Sequence, residues 1–110
     1  MKNIDYSHVF IKVNVSTIRG RKMLAVLGPE LTHTLLGLAS FLPDARPSQS
    51  YLSSILGITP TATNKRIRRL AAFRDETGAP VIKISKTRNQ GKFLSNKYEI
   101  LVTSGISMFE

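Results

Sequence analysis

Between Pro47 and Phe73 the apolar positions twice repeat at helical spacing, with a break at Gly57 to Thr59. In the first run Tyr51, Leu52, Ile55 and Leu56 fall three and four apart and make one stripe. Ser48 stands before it as an N-cap, a hydroxyl able to accept a first-turn N–H. Gly57 suits the position just past the helix end, where the backbone turns to positive φ at no steric cost. Ile58 plugs the corner, Thr59 is a second N-cap, and Pro60 sits at a first helical position, where its missing N–H removes no bond. A second helix therefore starts at Pro60. With successive residues about 100° apart, Thr63, Ile67 and Leu70 share one side, and Thr61, Lys65 and Arg68 share the other, flanked by Asn64 and Arg69.

The pattern elsewhere is simpler. Residues 8–15 alternate Val9, Ile11, Val13 and Val15 with His8, Phe10, Lys12 and Asn14, which predicts a strand. Residues 16–27 read as a loop with a turn or two of helix at Met23 to Leu27, since Gly20 interrupts the segment. Gly28-Pro29-Glu30 opens a helix with the stripe Leu31, Leu35, Leu38, Ala39 and Leu42, closed by Pro43. His33 and Leu36 point away from that stripe, and Phe41 lies on its flank. Arg74 to Pro80 has loop composition. Two alternating runs follow, residues 81–85 and 94–101, joined by a polar cationic loop at residues 86–92, which together predict a β-hairpin with Tyr98 facing inward. The tail from Val102 carries Ile106, Met108 and Phe109, apolar residues suited to pack back on the domain or to contact another part of a longer protein.

Composition narrows what this arrangement serves. A chain of 110 residues is expected to be one domain, 1–110, with its core over about 28–101. It has no cysteine and two distant histidines, which leaves no thiolate or histidine cluster for a metal and fits a cytoplasmic protein. The first twenty residues hold neither a long apolar run nor a small-residue cleavage site, and no apolar stretch is long enough to span a membrane. The net charge is +9, and residues 60–92 hold nine basic and two acidic side chains of the total. Most of the excess thus gathers on the second helix and the loop after it, the footprint of a polyanion-binding surface rather than of general solubility.

On Leu52, Ser53, Leu56, Gly57, Ile58, the Thr59-Pro60 start, and Ile67 with Leu70, the stretch resembles the helix-turn-helix of winged-helix DNA-binding proteins. With its flanks the likeness runs from about Gly28 to Ile100. Thr63 and Arg66 depart from it: Thr63 stands where a branched apolar residue is usual, and Arg66 where a small or apolar one is. The Phe10 to Val13 strand and the Asn96 to Ile100 strand resemble those of winged-helix domains in bacterial plasmid, phage and conjugative-element replication proteins. The expected fold class is α+β: a winged helix-turn-helix with about three core helices, a C-terminal β-hairpin wing and an N-terminal strand.

The resemblance implies a non-enzymatic protein that binds double-stranded DNA, in replication initiation or DNA transfer of a mobile element, with a transcriptional repressor as the alternative. Thr61, Lys65 and Arg68 are expected at base edges, Asn64 and Arg69 at the groove rim, and Ser48, Gln49 and Thr59 at the backbone. Lys86, Arg88, Asn89, Gln90 and Lys92 are expected along the adjacent minor groove or its phosphates. No cofactor, metal or membrane is implied. A homodimer contact, for instance through Leu36, or another protein of a DNA-processing complex stays open. Nothing in the sequence marks an effector pocket, and no nucleophile, base and orienting group stand in a catalytic arrangement. Phe93 and Tyr98 are too few for the stacking surface of an RNA-binding sheet.

Overall fold

The computed structural model describes residues 10–42, 44–89 and 91–108, and of these residues 87–89, 92–95 and 108 by backbone alone. The described chain is α+β: three helices and two small antiparallel sheets. In order these are β1 (Ile11–Val13), α1 (Met23–Ala39), α2 (Gln49–Leu56), α3 (Pro60–Ala72), β2 (Ile82–Asn89), β3 (Lys92–Ile100) and β4 (Ile106–Met108). A π-type turn at Ser16–Gly20 and a 3-10 turn at Val102–Ser104 complete the list.

The helix boundaries follow local chemistry. α1 consists of two helical segments joined at Gly28, whose φ of 83° and ψ of 167° are not helical, so the short run at Met23 to Leu27 and the helix opening at Pro29 are both present. The helix stops at Ala39, three residues before the expected Leu42. Phe41 and Leu42 donate to the carbonyls of Leu38 and Ala39, both at 3.1 Å, a tighter turn that leaves Leu42 half-buried rather than in the core stripe. α2 starts with the Ser48 hydroxyl accepting from Tyr51 N–H and ends at Gly57, φ 72°. α3 starts with the Thr59 hydroxyl accepting from Ala62 N–H, with Pro60 in its first turn.

One core joins the three helices to the base of the hairpin, with Leu35, Leu38, Leu52, Leu70 and Val81 fully buried and Tyr98 nearly so. Gly37 lets α1 and α2 meet closely: a Cβ there would lie 2.5 Å from Leu56 Cδ2. The expectation for α2 needs correction on one point. Leu52 and Leu56 are buried, but Tyr51 and Ile55 of the same stripe are exposed, because the neighbouring helices cover only one edge of it. Tyr51 packs its ring edgewise on Phe41, centroids 5.5 Å apart.

The sheets differ from expectation more than the helices do. β2 and β3 pair from Ile82↔Ile100 out to Asn89↔Lys92, so most of the segment expected as a loop is strand, and only Gln90 and Gly91 separate the last pair. The register slips between Thr87, opposite Ser95, and Arg88, opposite Phe93, which leaves Leu94 as a bulge. Tyr98 N–H donates to Ala45 O at 2.8 Å, adding one bridge from the α1–α2 connection to the hairpin. That order is compatible with a winged-helix layout. β1 is shorter than the alternation predicts and pairs with β4, Val13 against Ile106, so the apolar tail does fold back. His8, Val9, Pro43, Gln90 and Phe109 lie outside the described residues.

The loop after α3 is organised by Asp75. Its Oδ1 accepts from Thr77 N–H, the Thr77 hydroxyl and Ala79 N–H at 2.8, 2.6 and 2.9 Å, and Arg21 stands 3.7 Å from Oδ2. The Thr77 hydroxyl foremost, then the Ala79 N–H, hold the carboxyl below its ordinary range.

Candidate nucleic-acid interface

The turn between α2 and α3 is fixed by side chains that the sequence marks as backbone contacts. Ser48 and Thr59 spend their oxygens as acceptors in the two caps, at 3.1 Å each. Gln49 Nε2 donates to Pro60 O at 3.0 Å, tying the start of α2 to the start of α3. All three remain exposed at one end of the helix pair. Beneath them Ser53 Oγ lies 2.7 Å from Gln49 O and 2.9 Å from Thr63 Oγ1, which lies 3.0 Å from Thr59 O. Two hydroxyl protons serve these three contacts, so any arrangement satisfies two of them at once. This pair accounts for threonine in a fully buried position where an apolar residue was expected.

α3 divides as its periodicity predicts. Thr63, Ile67 and Leu70 are buried, while Thr61, Lys65 and Arg68 are exposed on the opposite side with Asn64 half-exposed beside them. Arg69 is turned toward α1: its Nη1 lies 3.6 Å from Glu30 Oε2. The same carboxylate lies 3.4 Å from Arg66 Nε, and Arg66 Nη1 stands 3.1 Å from His33 Nδ1. Arg66, 18% exposed, therefore belongs to a bridge between α1 and α3. His33, exposed as expected, is its partner in that bridge. Arg74 donates to the carbonyls of Ala71 and Phe73 at 2.9 and 2.8 Å and closes the C-terminus of α3.

The hairpin presents two faces. Ile82, Ile84 and Lys86 share one, opposite Ile100, Tyr98 and Asn96; Lys83 and Ser85 share the other, opposite Glu99 and Lys97. Lys86 is thus an exposed extension of the core-facing side. Arg88, Asn89 and Lys92 are on the paired backbone at the tip, their side chains undescribed, and Gln90 lies outside the described residues. Lys83 and Lys97 were not singled out from sequence. The strand alternation does put Lys83 outside, but only the register reveals that Lys97 stands diagonal to it on the same face.

The candidate residues form two groups on neighbouring elements, the exposed side of α3 with the turn before it and the outer half of the hairpin. They offer cationic and hydrogen-bonding side chains. Among the described residues no group of three or more His, Asp or Glu side chains could hold a metal ion, and no helix is long and apolar enough to cross a membrane. No family model, no curated protein and no solved structure matches the chain.

Proposed function

We propose that the chain binds double-stranded DNA, with α3 as the reading helix and the β2–β3 hairpin as a wing. The observation that supports this most is the split of α3 into a buried apolar side and an exposed side of Thr61, Lys65 and Arg68, beside a hairpin whose strands stay paired out to Asn89 and Lys92. Phosphate contacts from lysine and arginine supply affinity by counterion release, and side chains in the major groove supply sequence preference. Arg66 and Arg74 are committed within the fold, so the affinity rests on Lys65, Arg68, the turn and the hairpin. Replication initiation or DNA transfer of a mobile element is the biological reading, carried by the sequence resemblance alone; transcriptional regulation uses the same surface.

A titration of duplex DNA at several salt concentrations tests it. For Z neutralised phosphates log K falls with log salt at a slope of roughly −0.9Z, with about 4 to 7 contacts for a domain of this size. Arg68→Ala is expected to cost about 1–3 kcal/mol on the preferred site and to relax one or two base positions. Arg88→Ala or Lys92→Ala is expected to weaken all sequences alike and to lower the slope by about one unit. A flat salt response rejects the proposal, and equal affinity for single-stranded RNA moves it to an RNA partner.

A further inference from the structure

Glu30 stands in the first turn of the helical segment that opens at Pro29, and its carboxylate reaches across to α3. Two arginines of α3 converge on one oxygen of it: Arg66 Nε at 3.4 Å and Arg69 Nη1 at 3.6 Å from Oε2. The two are not held alike. Arg66 is 18% exposed and has a second partner in His33, whose Nδ1 accepts the contact, because a guanidinium only donates. Arg69 is 58% exposed and has Glu30 alone among the described residues. Two cations on one carboxylate leave a net positive charge, so Arg66 neutralises Glu30 and Arg69 is the surplus. An exposed ion pair of this kind is weak and readily exchanged for another anion. Helix geometry puts the surplus beside the proposed reading face: Arg69 follows Lys65 by four residues and Arg68 by one, about 40° and about 100° round the axis.

We infer that Glu30 is a built-in competitor of the DNA backbone: it holds Arg69 away from the interface, and a phosphate recruits Arg69 by displacing it. The inference rests on the DNA-binding reading; it adds one phosphate contact to that surface and names the residue that sets the strength of the contact. The chemistry of the exchange favours the newcomer. Arg69 meets the carboxylate through a single nitrogen at 3.6 Å, beyond good hydrogen-bond length, whereas a phosphate can take the guanidinium by two parallel N–H donors. Displacement leaves no bare charge behind, because Arg66 stays beside the same carboxylate and His33 helps to keep Arg66 in place. For the same reason Glu30 repels DNA little on its own account, and its effect on binding runs through Arg69.

The affinity of the parent chain, Glu30→Gln, Arg69→Ala and the double variant for a mixed-sequence duplex, each measured at several salt concentrations, tests this, since a phosphate contact needs no particular site. Glu30→Gln is expected to bind about two- to fivefold tighter than the parent. Arg69→Ala is expected to bind more weakly and to lower the salt slope by about one unit. The gain from Glu30→Gln is expected to vanish in the Arg69→Ala background. A gain that persists there is an effect of net charge alone and overturns the inference, as does a folded Glu30→Gln variant that binds like the parent; either result leaves the DNA reading standing. Duplex binding by none of the four proteins overturns the DNA reading and this inference with it. Should Glu30→Gln fail to fold, the arginine Nε–H resonances of the parent chain provide the test: on saturation with duplex the Arg69 signal is expected to shift and the Arg66 signal to stay. An Arg69 signal that stays overturns the inference.

Discussion

Asp75 gathers three hydrogen bonds on one oxygen, and all three favour the charged carboxylate. The Thr77 hydroxyl and the Ala79 N–H are the main reasons that its affinity for a proton is lowered in the folded chain. The sign follows from linkage. A group whose folded pKa lies below its unfolded one contributes stability that is present above the unfolded pKa and lost as pH falls through the folded value. Acidification below the usual carboxylate range is therefore expected to destabilise the protein, in part through this residue. Asp75→Asn, followed by urea unfolding across that range, is expected to show a shallower loss than the parent chain. An unchanged pH profile in the variant means that the loop does not hold Asp75 charged. Arg21 is the least of the favourable influences, so Arg21→Ala is expected to change the profile less than Thr77→Ala does.

At the scale of elements, the α2–α3 pair is held by an apolar seam and by one hydroxyl pair beneath the turn. Ser53→Ala leaves Thr63 its contact with Thr59 O, and Thr63→Val leaves Ser53 its contact with Gln49 O, so each change is expected to cost about 1 kcal/mol. The double variant is expected to cost less than the two together by roughly 0.5 kcal/mol or more, because the direct contact between the two hydroxyls is lost in either single change and only once in the double. Chemical denaturation of the four proteins measures the cycle, and simple additivity shows that the hydroxyls act separately. These two helices were the most legible part of the chain, because caps, the proline start and the terminal glycine are local signals. Burial was less legible. The stripe shows which residues share a side of α2, but not how far a partner extends, so Tyr51 and Ile55 looked like core and are surface. Arg66 illustrates the same limit: its register is readable, whereas its bridge to Glu30 and His33 depends on how α1 crosses α3.

For the whole molecule, the order of elements was readable and the pairing of the strands only partly so. The hairpin outlasted its apolar pattern because strand pairing continues wherever the register can close, even through residues of poor strand propensity such as Lys86 and Asn89. The β1–β4 pairing left no mark in local periodicity, since each strand is three residues long and the partners stand about 95 residues apart. That separation has a kinetic consequence. A contact that closes so long a loop gains little until the helices have formed, so this small sheet is expected to assemble last and to open first. Hydrogen exchange reads it directly: Asn14 N–H, bonded to Gly105 O at 2.6 Å, is expected to exchange through a partial opening of lower free energy than that of Tyr98 N–H, which is bonded to Ala45 O. Gly105→Ala, which forces a side chain into positive φ and within 2.8 Å of Thr17 Cβ, is expected to hasten the first amide and spare the second. Equal protection of the two amides marks one cooperative unit instead. If the sheet opens alone, the apolar side of α1 beneath it is bared while the helix pair stays intact, so the sheet acts as a clasp on an otherwise closed core.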